Sequence, residues 1–399
     1  MHVLVLPSWY PTRYQPLGGI FFKEQAVAVQ RAGARVGVIY PDFRGVRTLA
    51  QGKLRQPYFG IQTTDEGGIP TVRSYHWAIP KLPRLARRRW VEQAYKLFRR
   101  YTERFGMPDL VHAHSALWAG VAAASLKERC GVPYVLTEHS SAYARDLVKL
   151  QEVTYVQTAF REAGCAVAVS EALAANVKRY VGAAVDDITV IPNMVDTDFF
   201  TLPSEPQTDH PFRFLVVAFL TANKGIDVLI RAFAQVQKRH PDVLLEVGGD
   251  GEQRGELEAL AASLGVQANV RFLGALSRTQ VRDAMQQANC FVLPSYVETF
   301  GIVLVEAMTT GLPVVATRCG GPEGFVTPEV GRLVEPGEVG QLAEALEAVY
   351  LDPAQYTAAG SRAFAVGRFH SEAVADKLLD VYDRVVRGQA APRQAKVEF

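Results

Sequence analysis

Two glutamates eight positions apart, Glu298 and Glu306, flank a glycine in the stretch Leu293–Glu323, LPSYVETFGIVLVEAMTTGLPVVATRCGGPE. Residue types in this order suit a sugar carrying a diphosphate. Glu298 falls in a loop, where its carboxylate could accept hydrogen bonds from sugar hydroxyls. Glu306 falls about two turns into the following helical pattern, at 3.6 residues per turn, roughly beneath the same face. There a carboxylate could take both hydroxyls of a ribose. Between the two, the freed N–H groups of Phe300, Gly301 and Ile302 would point out of a helix N-terminus, where an anion is favoured. Gly301 lets a phosphate approach the main chain. Taken alone, two glutamates at this spacing are more often a solvated pair on a wet face, so their surroundings must decide.

Those surroundings form a strand–loop–helix–strand–loop unit. The apolar run Cys290–Leu293 predicts a buried strand, stopped by Pro294 and Ser295. A helix is predicted from Ile302 to Met308, ended by Gly311 with Pro313 just beyond. Val314–Ala316 predicts the next strand, and Gly320–Glu323 the next loop. The run Pro-Ser-x-x-Glu-Thr-Phe-Gly-x-x-x-x-Glu-Ala-Met-x-x-Gly-x-Pro-Val-Val-Ala-Thr-x-x-Gly-Gly resembles the donor-binding signature of the family-4 retaining glycosyltransferases, which have the GT-B fold. The resemblance implies that Glu298 meets the donor sugar and Glu306 the ribose. Thr299, Phe300, Gly301 and Ile302 would border the diphosphate.

The rest of the chain extends the resemblance. Short apolar runs at Val3–Leu6, Val36–Tyr40, Leu110–His112, Tyr134–Thr137, Ala166–Val169 and Thr189–Ile191 alternate with helical patterns, which predicts a parallel sheet with helices on both faces. The second half repeats the scheme from Phe214–Ala218 through Val243–Val247 and Val270–Leu273 to Val314–Ala316. The expected fold is α/β, with two doubly wound Rossmann-like domains facing across a cleft. The expected boundaries are 1–200, a Pro-rich linker at 201–211 and a donor domain at 212–370. A last helix, 371–388, is expected to return to the first domain, and 389–399 to fray.

Gly18-Gly19 follows the first strand without forming G-x-G-x-x-G, which disfavours a nicotinamide site. A plain loop turn would explain the pair equally; the resemblance places it near the reacting phosphate. His139, in Thr137-Glu-His-Ser140, stands at a strand end and resembles the family's cleft histidine, which touches the donor sugar. His114 matches another strand end, where a structural hydrogen bond would serve as an explanation. Lys224-Gly225 opens a helix after a strand. A lysine there opposes the helix dipole, so a cation near a diphosphate is the better reading. Five residues earlier the family commonly has Arg where this chain has Phe219, leaving Arg13, Lys23 or Arg318 as substitutes. Leu273 ends the strand where the family places the nucleotide base, read through backbone. Glu323 could reach the sugar or simply start a helix. Asp196-x-Asp198 is read as a chain turn, and no metal or other cofactor is expected.

Composition narrows the setting. The 399 residues are 48% hydrophobic, enough for two full cores, and no apolar run approaches the roughly 18 residues of a membrane helix. The N-terminus starts directly with a strand and lacks the form of a signal peptide. The four cysteines, Cys130, Cys165, Cys290 and Cys319, have no paired spacing, as expected of reduced thiols in the cytoplasm. Net charge is +2, but residues 1–200 carry +8 and the remainder −6, so the first half should meet something anionic. Lys81–Arg104 holds nine basic residues. Its Trp90, Ala94, Leu97, Phe98, Tyr101 and Phe105 share one stripe, while Arg88, Arg89, Lys96, Arg99 and Arg100 fall opposite. Arg88, Arg99 and Arg100 are expected to rest on an anionic membrane surface, bringing a lipid-linked acceptor near.

The expected activity is transfer of a hexose from a nucleotide diphosphate sugar (UDP- or GDP-linked) to an acceptor hydroxyl on a glycan or lipid-linked intermediate. The resemblance implies retention of configuration, with His139, Glu298 and Lys224 at the reacting centre. The expected partners are that donor and acceptor, and no nucleic acid. The alternatives are a nucleotide-sugar epimerase of the same fold and a non-catalytic subunit of a glycan assembly complex. A glycan phosphorylase would require a pyridoxal phosphate lysine motif, which the sequence lacks.

Overall fold

The computed structural model describes residues 1–12, 18–45, 60–78, 82–182, 185, 187–204 and 211–388. The chain divides into two compact units, Met1–Pro192 with the segment from Glu372 onward, and Asn193–Ser371.

Unit 1 is built on β1 (His2–Pro7), β2 (Arg35–Arg44), β3 (Ile61–Asp65), β4 (Pro70–Trp77), β5 (Leu110–His114), β6 (Tyr134–Glu138), β7 (Cys165–Ala168) and β8 (Thr189–Val190). They form one sheet in the order β3-β4-β2-β1-β5-β6-β7-β8. β1, β5, β6 and β7 are buried along their whole lengths, as strands covered on both faces must be. All neighbours are parallel except β3 and β4, an antiparallel hairpin. That hairpin departs from the all-parallel expectation. Its strands, IQTTD and PTVRSYHW, are too polar to read as apolar runs. They pair because Gly67 and Gly68 take positive φ at the turn, and Asp65 Oδ1 accepts from Gly68 N at 2.7 Å. The crossover helices include α1 (Ile20–Arg31), α2 (Pro83–Phe105), α3 (Val121–Cys130), α4 (Leu150–Arg161) and α5 (Glu171–Val181).

Unit 2 carries β9 (Phe212–Val217), β10 (Val243–Gly248), β11 (Val270–Gly274), β12 (Cys290–Leu293), β13 (Val314–Thr317) and β14 (Gly331–Val334), all parallel, in the order β11-β10-β9-β12-β13-β14. Helix α6 (Ile226–Arg239) buries Ile226, Leu229, Ile230, Phe233 and Val236 against Phe214, Leu245 and Val292, the spacing of an amphipathic stripe. α7 (Arg254–Ser263), α8 (Arg278–Gln287), α9 (Ile302–Thr309), α10 (Val339–Leu351) and α11 (Ala358–Phe369) complete it.

The boundary falls earlier than the linker expected at 201–211. Val195 bridges to His370, and Arg362 donates to the carbonyls of Thr197, Phe200 and Thr309 at 2.7–2.9 Å, which ties residues 195–200 to unit 2. The last helix, α12 (Ser371–Val386), belongs to unit 1, where Tyr382 Oη meets His112 Nδ1 at 2.7 Å. Residues 389–399, expected to fray, lie outside the described residues.

In each sheet the strand order reverses beside the first strand, between β1 and β5 and between β9 and β12. The loops leaving the carboxyl ends of those strands border the crevice where such folds bind ligands.

Candidate active site

In unit 2 three loops meet at the switch point. After β9, a single turn (Ala222–Lys224) leads to Gly225 at φ 62°, which caps α6. A side chain at Gly225 would put its Cβ 2.2 Å from the Pro294 carbonyl, so only glycine allows this approach to the loop after β12. Tyr296 N donates to Asn223 O at 2.9 Å and Asn223 Nδ2 to Val297 O at 3.2 Å. The loop after β13 is laced on in turn, with Glu298 N to Cys319 O at 3.2 Å and Gly321 N to Glu298 O at 2.9 Å. A Cβ at Gly321 would lie 2.4 Å from Phe300 Cα.

This lacing brings Lys224 Nζ to 2.5 Å from Glu298 Oε1, and the same oxygen accepts from Ser295 Oγ at 2.8 Å. Lys224 and Glu298, assigned separate tasks from the sequence, form one ion pair. Glu306 sits four residues into α9 rather than two turns, because Glu298–Gly301 are not helical. Gly301, at φ 89°, begins α9 without a side-chain cap, and Leu304 N turns back to Gly301 O at 2.9 Å. The Phe300 ring is buried against Phe325 and Phe369, at 5.2 and 5.6 Å between centroids, so its side chain anchors the loop. Glu323 accepts from Gly320 N at 2.8 Å, tying up its own loop.

Beside this centre, Gly249 N donates to Gly274 O at 2.8 Å, next to half-exposed Leu273 at the end of β11. Ala218 N and Leu220 N bond to Gly248 O and Asp250 O, holding Phe219 70% exposed between them. Of the proposed replacement cations, Arg13 lies outside the described residues. Lys23, in unit 1, is bound to Glu66 at 2.9 Å. Arg318, in unit 2, makes an exposed contact with Glu335 at 3.5 Å. Asp196 accepts from Phe199 N at 3.0 Å and faces Arg278, the cap of a turn. Among the described residues no three His, Cys, Asp or Glu side chains gather to hold a metal.

In unit 1, Gly19 at φ 73° starts α1 with no room for a side chain, since a Cβ would lie 2.9 Å from Trp9 O. Gly18 leads into it. His139, 8% exposed, follows β6 with its Nε2 3.1 Å from His114 Nδ1, and the rings of Phe21 and Phe22 pack at 5.3 and 4.9 Å. His114 therefore touches His139 directly, and behind it His112 stacks at 4.0 Å. His112 bonds to Thr137 Oγ1 at 2.8 Å and to Tyr382. Burial pushes the His112 imidazole down to about 3, and burial with two imidazole neighbours holds His114 well below its ordinary range.

Sequence reasoning passed over the residue that fixes this arrangement. Glu138 is fully buried and accepts four hydrogen bonds, from Ala116 N (2.9 Å), His139 N (2.8 Å), Ser140 N (2.8 Å) and Tyr143 Oη (3.0 Å). A carboxylate ending an apolar strand was the available signal. A second omission is Arg87, buried on α2 and paired with Glu152 at 2.8 Å.

Two family models cover the chain nearly end to end, Glycosyltransferase Family 4 over residues 19–199 and Glycosyl transferases group 1 over 200–386. A glycogen synthase of Mycobacterium tuberculosis is 30% identical over 301 residues, 73% of this chain and 72% of that protein. A D-inositol 3-phosphate glycosyltransferase of Pseudarthrobacter chlorophenolicus is 30% identical over 359 residues, 84% and 82% of the two chains. Among solved structures, a sucrose-phosphate synthase from Thermosynechococcus elongatus superposes with a TM-score of 0.78 at 22% identity, covering 98% of this chain and 100% of that one. The chain belongs to the family-4 glycosyltransferases, with two Rossmann-like α/β domains of the GT-B type.

Proposed function

We propose that this glycosyltransferase moves a hexosyl group from a nucleoside diphosphate sugar to an acceptor hydroxyl with retention of configuration and without a metal. The observation that carries the reading is the Lys224–Glu298–Ser295 cluster beside the uncapped start of α9, with Glu306 one turn further in. Lys224 and the first-turn amides around Phe300, Gly301 and Ile302 supply fixed positive ends for a departing diphosphate. Glu298 offers its second oxygen to a sugar hydroxyl while Lys224 and Ser295 hold the first. Glu306 takes the ribose, and Thr299 and Leu273 flank the nucleotide. The family resemblance assigns Gly18 and Gly19 to the phosphate and His139 to the transferred sugar. In the step itself the bond from the anomeric carbon to the phosphate oxygen breaks. The acceptor oxygen bonds to that carbon on the same face, and its proton passes to the leaving phosphate.

The two relatives named as a synthase and a glycosyltransferase favour transfer to an acceptor over epimerisation. A cytoplasmic site and a glycan or lipid-linked acceptor complete the reading. The deciding experiment supplies UDP- and GDP-sugars with acceptor pools in excess EDTA and reads the product anomer by NMR. Retained configuration with undiminished turnover is expected. An inverted product, Mn2+-dependent activity, or isomerised donor without acceptor would each overturn the corresponding part.

A further inference from the structure

A cavity of about 260 Å³ opens on unit 2 along β14, an edge strand of its sheet, and takes no residue from the Lys224–Glu298 centre. Arg318, just past β13, and Arg332, on β14, both line it, together with Thr327 and Pro328 from the loop between those strands. Gln355 and Tyr356 line it from the segment ahead of α11. The lining holds two guanidinium groups and no carboxylate. Such a cavity favours an anion.

Tyr356 gives an independent sign of a ligand. It is 6% exposed, and its buried Oη lacks a hydrogen-bond partner. The Arg332 guanidinium beside it can only donate, so the hydroxyl hydrogen is left without an acceptor. A buried donor in that state calls for a partner from outside the chain. Burial raises the pKa of this phenol, with Arg332 opposing, so the group keeps its proton at neutral pH. Arg332 Nη2 donates to Gln355 Oε1 at 3.4 Å, which leaves the Gln355 amide nitrogen as a further donor. Glu335 meets Arg318 at 3.5 Å, but both side chains are about half exposed, and such a pair holds a guanidinium weakly. Two guanidinium groups, a phenol and an amide suit the several acceptor oxygens of a phosphate.

A depression of about 500 Å³ adjoins the cavity and shares Pro328 and Gln355 with it. Its lining adds Glu329, Thr357 and Phe364. The Thr327 hydroxyl beside Glu329 lowers the pKa of that carboxyl, which is therefore charged at neutral pH. A carboxylate there accepts hydroxyl hydrogens and repels a second phosphate.

We propose that the cavity binds the phosphate of a small phosphate monoester and that the adjoining depression takes its hydroxylated body, as a sugar phosphate would supply. Arg318 and Arg332 meet the phosphate oxygens, Tyr356 Oη and the Gln355 amide donate to them, and Glu329 accepts from hydroxyls of the body. The site lies wholly within unit 2 and does not depend on the donor chemistry.

Isothermal titration of the full chain at low ionic strength with glucose 6-phosphate, glycerol 3-phosphate, inorganic phosphate and glucose tests it. Both esters should bind at a single site. Inorganic phosphate should bind about fivefold more weakly, for want of the hydroxyl contact, and glucose not detectably. Arg332→Gln should weaken glucose 6-phosphate about ten- to a hundredfold, the loss of a charged donor. Tyr356→Phe should weaken it about fivefold without lowering Tm, because the hydroxyl removed has no acceptor in the free chain. Lys224→Ala, the control for phosphate captured at the donor centre, should leave the affinity unchanged. Circular dichroism confirms that Arg332→Gln folds, and Arg318→Gln replaces it otherwise. No binding of either ester overturns the proposal. So does an Arg332→Gln chain that binds like wild type, or a loss confined to Lys224→Ala. Inorganic phosphate bound as tightly as the esters would overturn the place given to the hydroxylated body. A lower Tm with unchanged binding in Tyr356→Phe would overturn the role of that phenol.

Discussion

The two units prepare opposite electrostatic environments at equivalent places in their sheets. At the switch point of unit 2 the groups are charged and partly wet, with Lys224 and Glu298 in contact in the loops before α9, whose start has no side-chain cap. At that of unit 1 the imidazoles of His112 and His114 are sealed among aromatic rings and held neutral by burial. Rigidity also comes by different routes. Unit 2 laces its loops through Gly225 and Gly321 at backbone contacts too close for any side chain; unit 1 has such a glycine at Gly19 and fixes the His139 loop through one buried carboxylate, Glu138, that gathers three amides and a phenol. A diphosphate needs fixed positive charge, which glycine-laced loops present without blocking approach. A neutral polar site needs its donors and acceptors satisfied internally, because an unmatched charge there has no solvent to offset it.

The contrast breaks most visibly at Lys224. Lys224→Ala should lower kcat by about a hundred- to a thousandfold, the scale of losing one fixed positive group at a leaving anion, or roughly 3–4 kcal/mol. Steady-state kinetics with unchanged turnover would mean that the charge of unit 2 serves stability alone. Within the same unit, Glu306→Ala should raise the Kd of the bare nucleoside diphosphate about ten- to a hundredfold, the loss of a charged acceptor. Glu298→Ala should leave that Kd unchanged or lower it, because it releases Lys224 toward the diphosphate, and should weaken only the sugar nucleotide. Calorimetry showing both variants equally impaired for the bare nucleotide would erase the division of roles.

Unit 1 is sharpened through its own spectroscopic signal, since all four tryptophans, Trp9, Trp77, Trp90 and Trp118, lie in it. Glu138→Gln should destabilise unit 1 by about 2–3 kcal/mol, because an amide group would turn N–H toward donors. Urea unfolding followed by tryptophan emission measures this. The acid response is smaller per pH unit. His112 and His114 bind a proton near 6.5 when unfolded but far lower when folded, so stability is full above about 6.5 and falls as pH drops toward 3. The slope is about 1.4 kcal/mol per unit for each. Tryptophan emission should reveal this loss for unit 1. A flat response between pH 6.5 and 5 would show that the imidazoles are not sealed.

The unequal legibility of the two sites has a physical origin. Glu298, Phe300, Gly301 and Glu306 belong to one loop and one short helix, so local spacing carried most of the geometry. The helix begins at Ile302 as expected, and Glu306 lies one turn into it rather than two, because the eight positions counted from Glu298 span the loop as well. Glu138 was quoted beside His139 without a role, because its partners Ala116 and Tyr143 come from other segments. The β3–β4 hairpin and β14 escaped notice because short or polar strands lack apolar periodicity.

The sequence by itself determined the alternation of apolar strands and amphipathic helices, and hence two Rossmann-like units. It also determined the glycines and carboxylates of the donor signature, because periodicity and turn chemistry act over a few neighbouring residues. The tertiary structure alone decided that Lys224 meets Glu298 across 74 positions, and that Arg87 turns inward to Glu152. It alone placed residues 195–200 in unit 2. Each of these depends on contacts between distant segments, and such contacts follow from strand order and packing rather than from any local pattern of residue types.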